Sequence, residues 1–185
     1  MGRLSSYTFV TLDGYFEGPA KGDISWHKPG KEESEFAAAG ANSESALLFG
    51  RITYEHMVSF WPTPQAAQTM PEVAKGMNKS EKIVFSKTIT SSDWENTKII
   101  GTDMIKAVKD LKARSDKDLT ILGSGSIVTQ LAKERLIDVF QLMIDPVLLG
   151  KGSSLFHNLN ERLDLKLDNS RVFKSGVILL SYSLA

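Results

Sequence analysis

The sequence predicts an α/β fold: a mostly parallel central sheet of about eight strands, helices on both faces and an antiparallel C-terminal edge. Three observations lead there. Short apolar runs alternate with helical patterns through the first two-thirds of the chain, the last third reads as strands alone, and no linker or internal repeat divides residues 1–185 into two domains. Two of the strand-to-helix junctions, Gly50-Arg51-Ile52-Thr53 and Gly123-Ser124-Gly125-Ser126, combine glycine with hydroxyls.

Leu4 to Val10 reads as the first strand, with Tyr7 and Phe9 as β-favouring bulk, and it ends in the turn Thr11-Leu12-Asp13-Gly14. A glycine-rich loop from Gly18 to Asp23 leads to Trp26. Lys31 to Ala41 forms a helix with Phe36 and Ala39 facing inward. Ala46 to Phe49 is the second strand and Thr53 to Val58 a short helix. Phe60 to Pro71, with three prolines, reads as loop, and a further short helix follows from Val73 to Asn78. Lys82 to Phe85 and Thr97 to Ile100 are strands. Thr102 or Asp103 caps the helix Met104 to Arg114, whose Ile105, Val108 and Leu111 recur at helical spacing. Leu119 to Leu122 is the fifth strand, the helix through Ile127 to Leu131 follows it, and Ile137 to Ile144 is the sixth. Leu163, Leu165 and Leu167 share one face of the tail, and Val172-Phe173 and Val177 to Tyr182 form a hairpin around Lys174-Ser175-Gly176.

Composition narrows the function. Lys plus Arg and Asp plus Glu are both 22, so no global charge draws the chain to nucleic acid or to an anionic membrane. The chain lacks cysteine, which excludes disulfides, thiolate metal sites and cysteine nucleophiles. His27, His56 and His157 share no ligand spacing and read as surface or edge residues, so no metal is expected. With neither a spanning apolar run nor a signal-peptide pattern, the expected location is cytoplasmic.

The two junctions carry the chemistry. Unpaired N–H groups at a helix start favour an anion, Arg51 adds a fixed cation, and Thr53 adds a donor. Two such turns at strand carboxyl ends converge on one crevice. They suggest a pyrophosphate ligand and hence a dinucleotide.

The order of motifs resembles the dihydrofolate reductase-like family, in the branch that includes the reductase (RibD C-terminal) domain of riboflavin-biosynthesis proteins. The matching pieces are Thr11 to Gly14, Gly50 to Glu55, Val84 to Thr88, Gly123 to Ser126 and Asp145 to Gly152. The resemblance implies an NADPH-dependent reductase passing hydride to a heterocycle or to a sugar carbonyl or imine, similar to 5-amino-6-(5-phosphoribosylamino)uracil reductase and dihydrofolate reductase. By the same likeness Gly50, Arg51 and Thr53 hold cofactor phosphates. Ser86, Lys87 and Thr88 lie beside the adenosine ribose, where an ammonium and hydroxyls suit a 2′-phosphate, and Gly123, Ser124, Gly125 and Ser126 let the backbone approach the pyrophosphate. Asp13 is the candidate catalytic group, with an ordinary Asx turn as its other reading. Trp26 is a pocket wall or a core residue whose indole N–H should find a partner. Glu32 falls near the pterin-binding carboxylate of dihydrofolate reductases, or is part of an acidic helix start. Leu122-Gly123-Ser124 replaces the Glu-Gly-Gly of riboflavin-pathway reductases, and Ile137-Asp138-Val139 replaces their Val-Asp-Glu. Both departures point away from the riboflavin intermediate and leave cofactor binding intact. A nucleotide-binding module without efficient turnover is the second reading, and the direction of the Asp13 carboxylate separates the two. Relatives of this branch form dimers, and the apolar runs Val139 to Ile144 and Val177 to Leu180 suit a homodimer.

Overall fold

The computed structural model describes residues 2–114 and 116–185. Alternation along the strands decides how the layers form. β1 (Leu4–Thr11) buries Leu4, Ser6, Thr8 and Val10 towards one side and turns Tyr7 and Phe9 to the other. β2 is Tyr15–Glu17, α1 Lys31–Ala41, β3 Ala46–Gly50, α2 Arg51–Phe60, α3 Pro64–Thr69, α4 Pro71–Lys79, β4 Lys82–Phe85 and β5 Thr97–Ile100. α5 is Met104–Arg114, β6 Leu119–Leu122, α6 Gly125–Lys133, β7 Val139–Asp145, β8 Ser153–Ser154, β9 Leu165–Val172 and β10 Ile178–Leu184. Eight strands form one sheet in the order β5-β4-β3-β6-β1-β7-β10-β9. Pairing is parallel from β5 to β7 and antiparallel for β7–β10 and β10–β9. The predicted fold class is the observed one.

One face of the sheet meets α5 and α6: Leu48, Ile83 and Ile121 pack with Val108, Val128 and Leu131. The other face meets α2 and α4, where Leu47, Phe49 and Val84 pack with Tyr54, Val73, Met77 and Trp94. Each such side chain contributes about 1.5–3 kcal/mol when fully buried, so the two clusters hold the sheet between its helices.

Several boundaries differ from the sequence reading. α2 begins at Arg51 rather than Thr53, because Gly50 is extended (φ −81°, ψ 164°) and the helix starts directly after it. The segment read as loop contains α3: the Thr63 side chain accepts from the Ala66 N–H, and Pro64 and Pro71 open helices instead of breaking them. β9 is eight residues long and exposed throughout, where only Val172-Phe173 was expected as an arm. β2 and β8, unforeseen, pair as a separate two-stranded sheet. On α1, Phe36 turns inward onto Tyr7 and Phe173, but Ala39 is exposed and Glu33 is buried. His27 is no surface residue. Its ring stacks on Phe9 at 3.8 Å, and Nδ1 lies 3.0 Å from both Asp145 carboxylate oxygens.

Lys82 is fully buried at the start of β4. Its ammonium donates to the carbonyls of Met77, Asn78 and Ser80 at 2.7–3.0 Å and sits 4.5 Å from the Trp94 ring centre. It thereby caps the carboxyl end of α4, where orphan carbonyls and the helix dipole favour a cation. Loss of hydration is the larger influence and pushes its pKa down to about 8. No described helix is long and apolar enough to cross a membrane.

Candidate functional site

Parallel pairing places β3 and β6 side by side with their carboxyl ends together. Gly50, Arg51 and Thr53 open α2 at one end, and Ser124, Gly125 and Ser126 open α6 at the other. The two turns are stitched together: the Gly50 N–H donates to Ser124 Oγ at 2.8 Å, and that hydroxyl donates to Thr53 Oγ1 at 2.8 Å. Gly123 (φ +55°) and Ser124 (φ +57°) are both left-handed. Such a conformation costs a serine free energy, and the two hydrogen bonds hold it in place. Gly125 is glycine for a reason the sequence hid. A Cβ there would lie 2.5 Å from Phe16 Cζ, so the missing side chain makes room for Phe16 rather than for a ligand alone.

Ser86, Lys87 and Thr88 follow β4, the next strand out, and face the same groove of about 860 Å³ as Gly50, Arg51, Thr53, Ser124, Gly125 and Ser126. Ser86 Oγ accepts the N–H groups of Thr88 and Ile89, which shapes the turn and leaves its own proton to donate. Lys21, Arg51, Lys87 and Lys133 make the groove cationic, against a single carboxylate, Glu17. Arg51 is held by Glu55 one turn on, at 2.9 Å and 3.0 Å, in an exposed pair. Pairs of this kind contribute only about 0.3–0.5 kcal/mol, so the guanidinium is free to turn to a stronger anion.

A second cavity, of about 410 Å³, adjoins the groove and shares Phe16, Glu17, Ile52, Thr53 and Ser124 with it. Gly123 lies in this cavity. Its floor is the sheet face carrying Tyr7, Leu47, Thr120, Leu122 and Gln141, and its roof is α1 with Phe36, Ala37 and Gly40. Burial, then the charges of Asp145 and Glu33, push the Tyr7 phenol well above its ordinary pKa, so it is a neutral hydroxyl; it donates to Met143 Sδ at 3.4 Å.

Three predicted residues stand elsewhere. The Asp13 carboxylate accepts from Thr11 Oγ1 at 2.6 Å, from the Gly150 N–H at 2.8 Å and from the Leu149 N–H at 3.1 Å. The Thr11 hydroxyl first, then these amides, hold its pKa below the usual carboxylate value. It ties the turn after β1 to the loop after β7 and lines neither cavity. Glu32 pairs with Lys174 at 3.2 Å and accepts from its backbone N–H, so it points to the β9–β10 hairpin. Trp26 also lies outside both linings, and its buried Nε1, expected to be satisfied, has no partner among the described residues. Sequence reasoning missed Phe16, His56, Gln141 and Lys133, which line the groove or the cavity. None belongs to a motif, and only the paired sheets bring them in.

The crevice, cationic on one side and apolar on the other, lies at the carboxyl ends of parallel strands, where open α/β sheets bind their ligands. The chain belongs to the RibD C-terminal domain family, whose model matches residues 4–179. It is 32% identical to the protein YyaP of Bacillus subtilis over 94% of this chain and 90% of that one. Among solved structures, a riboflavin biosynthesis protein from Shewanella sp. PV-4 superposes with TM-score 0.76 at 22% identity, covering 99% of both chains. The Enterococcus faecalis dihydrofolate reductase solved with NADP(H) gives 0.68 at 14%, covering 99% of this chain and 96% of that one. At these identities the two structures share the fold, which is of the RibD and dihydrofolate reductase type.

Proposed function

We propose that the protein is an NADPH-dependent reductase that reduces a small carbonyl or imine compound in the cavity beside the groove. The observation carrying this reading is the convergence of three separate strand ends on one cationic groove that adjoins an apolar cavity. The donor set fits a phosphorylated dinucleotide: helix starts and hydroxyls from Gly50 to Thr53 and Ser124 to Ser126 suit the pyrophosphate, and Lys87 with Ser86 and Thr88 suits a 2′-phosphate. Bound NADPH supplies the hydride. The protein then orients the acceptor over the sheet floor and keeps water out with Phe16, Ile52 and Leu122. A homodimer built on the C-terminal sheet edge is part of the same reading.

Tryptophan-fluorescence titration with NADPH and NADH tests the cofactor assignment. A hydrogen bond to a charged partner is worth roughly 1.5–3 kcal/mol, so Lys87→Ala weakens NADPH binding about tenfold or more and leaves NADH nearly unchanged. Equal affinity of the unmutated protein for both cofactors would sink the placement of the 2′-phosphate at Ser86-Lys87-Thr88.

One observation favours the second reading, a nucleotide-binding module without efficient turnover. The Asp13 carboxylate is occupied by the loop at Leu149 and Gly150 instead of facing the cavity. NADPH binding without its oxidation across a panel of carbonyl compounds would select that reading.

A further inference from the structure

Charge is sorted between the two adjoining cavities. The groove carries Lys21, Arg51, Lys87 and Lys133, whereas among the described residues no lysine or arginine lines the inner cavity, and its one carboxylate, Glu17, belongs to the shared rim. The walls of the inner cavity are aromatic and aliphatic, with Phe9, Phe36, Leu47, Met57 and Trp61 among them. Its polar groups are neutral or at the edge. Thr120 is within 3.4 Å of Ser5 Oγ, Tyr7 is an un-ionised phenol, and the His56 ring packs under Gly22, where a Cβ would run into it. The Gln141 amide, opposite Tyr7 in the register of β7 with β1, carries no hydrogen bond among the described residues.

The space itself comes from α1. Phe36, Ala37 and Gly40 line the cavity from this helix, with Gly40 exposed at its opening and nothing within 4 Å of where a Gly40 Cβ would be. The two carboxylates on the first turn of the same helix are spent on the β9–β10 hairpin, Glu32 on Lys174 and Glu33 on Ser175. No acid therefore enters the cavity from its roof to pair with an aminopyrimidine or pterin edge. A phosphate dianion would lose its hydration there with no lysine or arginine to replace it.

We infer that the substrate is an uncharged, largely apolar carbonyl compound, seated against the Tyr7–Thr120–Gln141 floor, and not a phosphorylated sugar derivative or a pterin. This rests on the reductase reading above and narrows it. In the reaction, hydride from the reduced nicotinamide forms a C–H bond at the carbonyl carbon. The C=O π pair moves to oxygen, which takes a proton from solvent at the mouth, and the carbonyl compound becomes an alcohol while NADPH becomes NADP⁺. The free Gln141 amide is the neutral donor placed to hold the carbonyl oxygen.

The test uses acetophenone as the neutral probe, with ribose 5-phosphate and 6,7-dimethyl-7,8-dihydropterin as competitors for the assignment. Binding is read from tryptophan fluorescence, with Trp61 in the wall, and turnover from NADPH oxidation. Acetophenone is expected to bind saturably and more tightly than either competitor. Gly40→Leu fills the open space and should weaken acetophenone binding about tenfold or more, since a methylene in such a pocket is worth 10–200-fold, with NADPH affinity unchanged. Tighter binding of ribose 5-phosphate or of the dihydropterin overturns the inference, as does absent acetophenone binding or a Gly40→Leu variant that binds it as before. Acetophenone binding that is lost in Gly40→Leu, without NADPH oxidation, would leave the cavity assignment standing and remove the reductase reading.

Discussion

Lys82 is a charge set where a pattern reader would place a leucine, and its depressed pKa has a direction that can be measured. With a folded value of about 8 against an ordinary 10.5, the unfolded chain binds more protons between these values. Its contribution to stability is therefore greatest above 10.5 and is lost as pH falls through 8. Urea unfolding of the wild type and of Lys82→Met should show the wild type gaining on the variant as pH climbs from 8 towards 10; a flat or falling difference would show that the three carbonyls outweigh dehydration. Asp13 has the opposite chemistry but the same sign. Its folded pKa is depressed by Thr11 and by the Gly150 and Leu149 amides, so its contribution is present at neutral pH and is lost in acid below the usual carboxylate range. Asp13→Asn is expected to lower Tm at pH 7, with the difference closing in acid. Turnover should change by much less than the roughly 10²–10⁴-fold typical of an acid–base group. A loss of that size would place the carboxylate in the chemistry after all. The Gly150 partner of Asp13 was not legible in the sequence because the two are 137 positions apart, and the Lys82 partners, two to five positions back, were hidden because they are backbone carbonyls.

At the scale of elements, what the sequence made legible were the buried strands and the turns after them. β3, β4 and β6 are apolar runs ended by glycine or serine, and they stand where the pattern put them. α3 was hidden because proline was read as a breaker, although Pro64 sits at a helix start behind the Thr63 cap, where its missing N–H costs nothing. β9 was read only in part, through the alternation of Leu163, Leu165 and Leu167, because it has no buried face to carry that pattern on to Val172. The β2–β8 pair was hidden by its length of three and two residues. That small sheet still governs the site, since β2 carries Phe16 onto the start of α6. Gly125→Ala would raise intrinsic helix propensity by about 1 kcal/mol, yet forcing a Cβ against the ring should cost about 1–3 kcal/mol. The expected net effect is destabilisation in urea unfolding, with recovery in the Phe16→Leu/Gly125→Ala double variant. An unchanged or more stable single variant would contradict the packing of Phe16 on this helix start.

For the molecule as a whole, the sheet ends at β9 in an unpaired edge exposed along eight residues, with Leu167 50% and Val172 72% accessible. Isolated edges of this length invite pairing, and a stable dimer buries about 800 Å² per partner. A two-fold homodimer through β9 is expected, with a sedimentation mass of two chains at micromolar concentration. Val172→Lys should shift it to one chain while leaving NADPH binding intact. A wild-type mass of one chain would refute the dimer.

The position of β1 has a consequence for synthesis. The first strand made lies between β6 and β7, so its neighbours are Leu119 to Leu122 and Val139 to Asp145. A ribosome adding about 5–20 residues per second needs roughly 6–26 s to pass from β1 to the second of these partners. Until β6 is made, Tyr7, Phe9 and Val10 have no strand of the sheet to join. The sheet therefore closes around β1 late, and its two long-range pairings make the central strand dependent on segments made well after it.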